Sequence, residues 1–240
     1  MSTPKAELDR RGRGTVPESI VEDSGPAFLS RLAHDLRGPL SPLQTAAYLL
    51  RRDDLGPQRQ GELLDIIDRQ ATRMGSMLQE MSDWMRARKG SVGARREPIN
   101  VPMLLELACA ELAAAGGTVD IPETLDEVEV AGDTQHLVQM LGTLVSYMRV
   151  HAGTGGLRVG AALEQNCLNI TIEAADQDDA GFWEHAAATL FTAPEPAPFD
   201  EGLGLRLLIA RAIAEAHGGS VAATVSPSGH GQILVELPAR

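Results

Sequence analysis

The chain has 240 residues, room for one large domain or two small ones, and its 43% hydrophobic and 22% charged residues are an ordinary globular balance. Aromatic residues make up only 3%, so its cores must be built from aliphatic side chains, alanine and methionine. A net charge of −12 argues against nucleic acid as a partner, because gripping a phosphate backbone takes a basic surface that displaces counterions.

Residues 1–25 are polar, charged and rich in glycine and proline, which predicts a flexible tail. That segment lacks the apolar stretch of a signal peptide, and no apolar run approaches the roughly 20 residues that cross a bilayer. The expectation is a soluble, cytoplasmic protein with no membrane partner. Cys109 and Cys167 form neither a disulfide framework nor a metal cluster and read as small apolar residues.

From Leu29 the pattern becomes helical. Leu29, Leu36, Leu43 and Leu50 recur every seven residues, with Leu32, Pro39 and Ala46 completing a 3–4 spacing and Leu40 and Ala47 widening the stripe. Gly56 and Pro57 break this helix within residues 51–58. A second helix is predicted over about 60–89, with Leu63, Ile67, Gln70, Met74, Met77, Met81 and Trp84 on one row. Leu64, Ala71, Leu78 and Met85 make an adjacent row. Two long amphipathic helices joined by a short loop form an antiparallel hairpin, and a stripe this wide calls for dimerisation into a four-helix bundle. The methionine row reads as bundle core rather than a ligand site.

Residues 89–98 have the composition of a linker, which places a domain boundary there. Beyond it the rhythm is mixed: a helix over about 101–115, a strand pair at 118–121 and 127–132, a helix over 134–149, and a hairpin over 156–174. A long loop is predicted over 176–201, then a helix over 205–217 closed by Gly218 as a left-handed cap, and strands at 219–226 and 231–237. Helices on one side of several strands make an α/β sandwich. The expected divisions are a tail (1–25), a dimerising helical hairpin (26–90) and an α/β domain (97–240).

The sequence Ala33-His34-Asp35-Leu36-Arg37-Gly38-Pro39-Leu40 carries the strongest chemical signal. With Leu29 at heptad position a, His34 falls at f, away from the seam. An outward imidazole on a rigid helix offers a ring nitrogen for attack on phosphorus. Asp35 can hold the other ring nitrogen and fix the tautomer, Pro39 removes a backbone bond just after the histidine, and Arg37 can steady a phosphoryl group. This stretch resembles the H-box of the histidine-kinase dimerisation and phosphotransfer domain, whose pattern is His-Glu/Asp-Leu-Arg-x-Pro-Leu, and the resemblance spans about 27–89. It implies His34 as phosphoacceptor, with Asp35 and Arg37 assisting. The family's dual kinase–phosphatases carry Thr or Asn four residues after the histidine; Gly38 stands there, which implies weak or absent phosphatase activity.

Residues 97–240 resemble the ATP-binding domain of the same kinases, the GHKL fold. Residues 130–152, with Asp133, Leu137, Gln139 and Leu141, align with the N-box region, residues 190–194 with an F-box, and residues 202–219 with the last glycine box and its helix. The chemistry departs from the family's. Thr143, Tyr147 and Val150 stand where a Mg²⁺-ligating Asn, a second Asn and a Lys belong, and a neutral phenol is a poor ligand for so hard an ion. Asp176 aligns with the adenine-reading Asp, but both glycines that follow it in the family are missing. Gly202 and Gly204 remain where backbone amides can cradle phosphates. Arg206 replaces a third glycine, and either lies on the helix surface, pairs with phosphate, or blocks the site. Asp178, Asp179, Asp200 and Glu201 would repel a triphosphate. His136, His151, His185 and His230 show no metal-ligand spacing, and His217 reads as part of a helix terminus, where a cation is favourable.

A complete H-box beside a degenerate nucleotide site implies a phosphorelay intermediate resembling the dimeric, kinase-like histidine phosphotransferases, with no cofactor of its own. Its partners would be response-regulator receiver domains, docking on Arg37, Ser41, Gln44, Thr45 and Tyr48, and an upstream hybrid histidine kinase. The alternatives are an ATP- and Mg²⁺-dependent histidine kinase with atypical boxes and a non-catalytic module that binds response regulators.

Overall fold

The computed structural model describes residues 26–52, 55–88, 96–152, 156–174, 180–194 and 202–240. Helix α1 (Pro26–Leu49) runs unbroken through Pro39 and Pro42, and α2 (Pro57–Arg88) returns antiparallel to it. Along α2 the 4–3 spacing becomes burial: Leu63 and Met77 are buried, while Ile67, Gln70, Met74, Met81 and Trp84 are half-buried. Leu64, Ala71, Leu78 and Met85, one row over at seven-residue steps, are exposed in the single chain.

The remainder is a two-layer α/β sandwich. Strand β1 (Glu97–Asn100) leads into α3 (Val101–Ala114), whose N-terminus is capped by the Asn100 side chain accepting from the Met103 amide. After β2 (Thr118–Asp120), a 3₁₀ turn (Glu123–Leu125) and β3 (Glu129–Gly132) comes α4 (Thr134–His151), capped by Asp133. The hairpin of β4 (Leu157–Glu164) and β5 (Cys167–Ala174), helix α5 (Ala180–Thr189), helix α6 (Arg206–Ala216) and the strands β6 (Ser220–Val225) and β7 (Gly231–Pro238) complete it. The main sheet has the order β2-β4-β5-β7-β6, antiparallel except for the parallel β2–β4 pair. Strand β5 alternates strictly: Leu168, Ile170, Ile172 and Ala174 are buried beneath the helices, and Asn169, Thr171 and Glu173 lie on the other face.

Two expectations are corrected. The segments around 118–121 and 127–132 do not pair with each other. The short β2 joins the edge of the main sheet beside β4, and β3 pairs antiparallel with β1 in a separate two-stranded sheet. The 3₁₀ turn between them, with Leu125 fully buried, carries the chain from one sheet to the other. The stretch predicted as a loop over 176–201 contains α5, whose Trp183 and Ala186 are buried. The cap at Gly218 is as expected: φ is +80°, the Gly218 amide reaches the Glu215 carbonyl and the Gly219 amide that of Ala214.

One apolar core runs beneath the sheet and on into the hairpin. It includes Leu104, Leu141, Leu144, Met148, Ile170, Val235 and Ile213, and reaches Met77 and Ala87 of α2, with Leu32, Leu36, Met81 and Trp84 packed against it. Both cysteines are free; Cys109 is buried, and burial pushes its thiol up to about 11. Among the described residues no helix is long and apolar enough to cross a membrane.

Candidate functional site

His34 stands on the outer face of α1, its side chain 84% exposed, as heptad position f requires. Its Nδ1 lies 3.2 Å from Oδ1 of Asp35, so a proton on Nδ1 is held by the carboxylate and Nε2 carries the free lone pair. A neutral imidazole in that tautomer is a nucleophile with a defined attacking atom.

The helix repeat extends this face along α1. Arg37, Ser41, Gln44, Thr45 and Tyr48 fall three, seven, ten, eleven and fourteen residues after His34, and all are exposed, Tyr48 at 71%. Thr45 Oγ1 donates to the Ser41 carbonyl at 2.9 Å, leaving the outer surface of this turn small and polar. At Gly38 there is open space where a side chain would be.

The second cluster lies where α4, α5 and α6 meet the sheet. Asp133 caps α4 by accepting from the His136 amide, and its own amide donates to Nε2 of His217 at 3.1 Å. The other nitrogen of His217 donates to the Ile213 carbonyl at 2.7 Å, so this buried ring is neutral, not the helix-terminal cation expected. Burial lowers its pKa from the ordinary histidine value. Burial raises the Asp133 carboxyl, but the His136 amide and ring and the Gln135 amide outweigh it, and the net shift is downward.

Tyr147 is fully buried and packs on an aromatic group that the sequence did not reveal. The Tyr147 ring lies 4.5 Å from that of His151 and edge-on to Trp183 at 6.4 Å, and Phe182 stacks on His151 at 5.3 Å. Trp183 is itself wholly buried against Gly231, where a Cβ would collide with the indole. Burial lowers the pKa of His151. Of the other N-box positions, Thr143 lines a cavity between α2, α4 and α6, and Val150 is exposed. Asp176, Asp178, Asp179, Asp200 and Glu201 lie outside the described residues.

Gly204 has φ of +73° at the entry to α6, and Arg206 begins that helix. The loop amides face the stem. Leu203 N donates to Glu80 Oε2 at 2.9 Å, Leu205 N approaches the same oxygen at 3.5 Å, and Arg206 Nε meets Glu80 Oε1 at 3.4 Å. Of the alternatives for Arg206, surface residue, phosphate partner or plug, the geometry is nearest the first: it is 45% exposed and its guanidinium is turned to a carboxylate. Glu80 and Trp183 are the two residues of this site that sequence reasoning missed. The signals were a charge one turn beyond Met77 beside the apolar row, and one of only two tryptophans in a chain poor in aromatics.

Residues 27–90 match the His Kinase A (phospho-acceptor) domain. The helical hairpin thus corresponds to the phospho-acceptor domain of histidine kinases. Among related proteins, the bacteriophytochrome of Pseudomonas aeruginosa is 30% identical over 207 residues, covering 81% of this chain and 27% of that protein. Sensor protein kinase PmrB of the same species is 28% identical, covering 87% and 44%. The chain spans between about a quarter and less than half of the length of these relatives. In fold, the chain is similar to histidine kinase ThkA in complex with response regulator protein TrrA, with a TM-score of 0.63 at 14% identity, covering 95% of this chain and 68% of that one. Acinetobacter baumannii histidine kinase AdeS is similar with a TM-score of 0.57 at 16% identity, covering 85% and 97%. The hairpin followed by the α/β sandwich thus has the fold of these two histidine kinases.

Proposed function

We propose that this chain is a two-component phosphotransfer protein that carries a phosphoryl group on Nε2 of His34 and exchanges it with receiver aspartates of response regulators. The observation that carries the reading is the exposed His34 ring with Nδ1 held by Asp35. In the transfer, the Nε2 lone pair attacks the phosphorus of an aspartyl phosphate. The N–P bond forms as the bond to the aspartate oxygen breaks, and the carboxylate leaves. The reverse displacement passes the group to a second receiver. Catalysis is positioning and charge stabilisation, with Mg²⁺ brought by the receiver.

The receiver docks along Arg37, Ser41, Gln44, Thr45 and Tyr48, a small polar face ending in an exposed aromatic, the kind of anchor that interfaces favour. That ThkA is paired with a response regulator in its structure supports the same partner class here. A second copy of the chain covers Leu64, Leu78 and Met85 and closes the hairpins into a four-helix bundle.

The source of the phosphoryl group has two readings. Similarity to proteins named as sensor kinases favours ATP, used by an autokinase with atypical boxes, and it weighs more heavily than any similarity that speaks for a relay. The geometry favours a receiver as donor. Tyr147 and Trp183 fill the space beside the N-box positions, neither the buried neutral phenol of Tyr147 nor the hydrocarbon side chain of Val150 suits Mg²⁺ as a ligand, and the glycine-loop amides are engaged by Glu80. On this reading the α/β unit buttresses the stem, and an upstream hybrid kinase supplies the relay.

Two labelling reactions decide it. The full chain is incubated with radiolabelled ATP and Mg²⁺, and separately with receiver domains charged by labelled acetyl phosphate. Labelling of His34 from a charged receiver, absent in His34→Gln, is the expected result. Labelling from ATP alone establishes the kinase reading and overturns the relay. Failure of both, with response-regulator binding retained in His34→Ala, leaves a docking module.

A further inference from the structure

Glu80 is a carboxylate on a stem helix, yet it is 6% exposed and lies against the glycine loop of the other unit. Burying a carboxylate is unfavourable unless its oxygens are fully engaged. Here the engagement comes from the loop. Gly204 in the left-handed region (φ +73°) is followed by Leu205 in the right-handed one (φ −88°, ψ −7°), an alternation that turns successive backbone amides toward one point and makes a concavity for an anion. The Leu203 and Leu205 amides meet one carboxylate oxygen there, the Arg206 guanidinium meets the other, and the positive end of α6 points at the same place.

Around this contact the seam between the stem and the α/β unit holds open space lined by both polar and apolar side chains, Met140, Ile209 and Ile213 among the latter. A cavity of about 480 Å³ borders it, lined among others by Ser76, Gln79, Asp83, Gln139 and Thr143. Gln139 Nε2 and Asp83 Oδ2 meet across it at 3.5 Å in an exposed contact. Open space in a seam lets two units shift unless a specific contact fixes them.

We infer that Glu80 is the resident anion of the glycine loop, a stem carboxylate seated where a phosphate would bind. It fixes the orientation of the α/β unit on the stem and closes the loop to outside anions. The assignment agrees with a receiver as the donor of the proposed function, since an autokinase would have to displace Glu80 to seat a triphosphate on these amides.

Amide hydrogen exchange on the full chain tests it, with inorganic tripolyphosphate as the probe. In Glu80→Ala the amides of residues 202–206 exchange about tenfold faster than in the wild type, the scale of a lost hydrogen bond to a charged group, while β5 and β7 keep their protection. Tripolyphosphate slows exchange in the variant loop and leaves the wild-type loop unchanged. Glu80→Gln, isosteric and uncharged, keeps the seam packed and carries the same test should the alanine variant lose protection in β5 and β7: faster loop exchange, slowed again by tripolyphosphate. Wild-type exchange at 202–206 in a folded variant overturns the assignment, as does equal protection of wild-type and variant loops by tripolyphosphate. Phosphorylation of His34 is not read in this experiment, so its result is independent of the proposed function.

Discussion

Trp183 stands edge-on to Tyr147, their planes at 86°, and its indole occupies the space a side chain at Gly231 would need. A helix in a region that reads as a loop is thereby tied both to α4 and to the first residue of β7. Replacing Trp183 by Ala is expected to cost about 3–5 kcal/mol in urea unfolding, the range for emptying a large aromatic site. Gly231→Ala should cost about 1–3 kcal/mol by overpacking. Because both changes act on the same volume, the double variant should be more stable than the sum of the two predicts. Additive losses would show that the indole is not what excludes the side chain.

For the proposed chemistry, His34→Gln should abolish phosphorylation with no more than about 0.5 kcal/mol change in stability, as for an exposed surface position. Asp35→Asn should keep the fold and slow phosphorylation by about tenfold or more, because the amide stabilises a charged ring less well. Rapid-quench kinetics on the two variants and the wild type read both numbers. An unchanged rate in Asp35→Asn would remove the carboxylate from the mechanism.

His217 links acidity to stability. Its pKa is lowered in the folded chain, so the unfolded chain binds a proton first as pH falls. Stability is therefore full above about pH 6.5, the value for a free histidine, and is lost progressively as pH drops from there toward the folded value. His151, lowered by burial, acts in the same direction. Urea midpoints between pH 7.5 and 5 should fall in the wild type and fall less steeply in His217→Gln. Equal slopes would mean that protonation of this ring is not coupled to folding.

Gly218 closes α6 with φ of +80°. A side chain in the left-handed region costs about 1–2 kcal/mol, so Gly218→Ala should lower the thermal midpoint of the α/β unit by several degrees. Gly218→Asn should lower it less, since asparagine tolerates that conformation better. Differential scanning calorimetry separates the two.

The hairpin was legible because helical periodicity is local: a heptad repeat with leucines at 29, 36, 43 and 50 fixes which face is inward and, by subtraction, that His34 is outward. The β4–β5 hairpin was legible for the same reason at a period of two. What escaped depends on contacts distant in sequence. Whether 118–121 pairs with 127–132 is decided by the sheet edge that β4 offers β2 and by β1, which sits in a stretch that read as linker. Helix α5 is a run of alanine, glycine and aromatics with no clear stripe, and it is held by Trp183 reaching Tyr147, 36 positions earlier in the chain. Glu80 and Leu203 are 123 positions apart, and neither residue type announces the other.

The two thiols differ enough to be used separately. Cys109, sealed in the core and raised to about 11, stays protonated at neutral pH, whereas Cys167 is only partly covered at the start of β5. Since the thiolate is the reactive form, a maleimide dye or spin probe added to the native chain should attach once, at the start of the central strand β5. That gives spectroscopists a built-in address from which movement of the α/β unit can be followed without engineering any cysteine away.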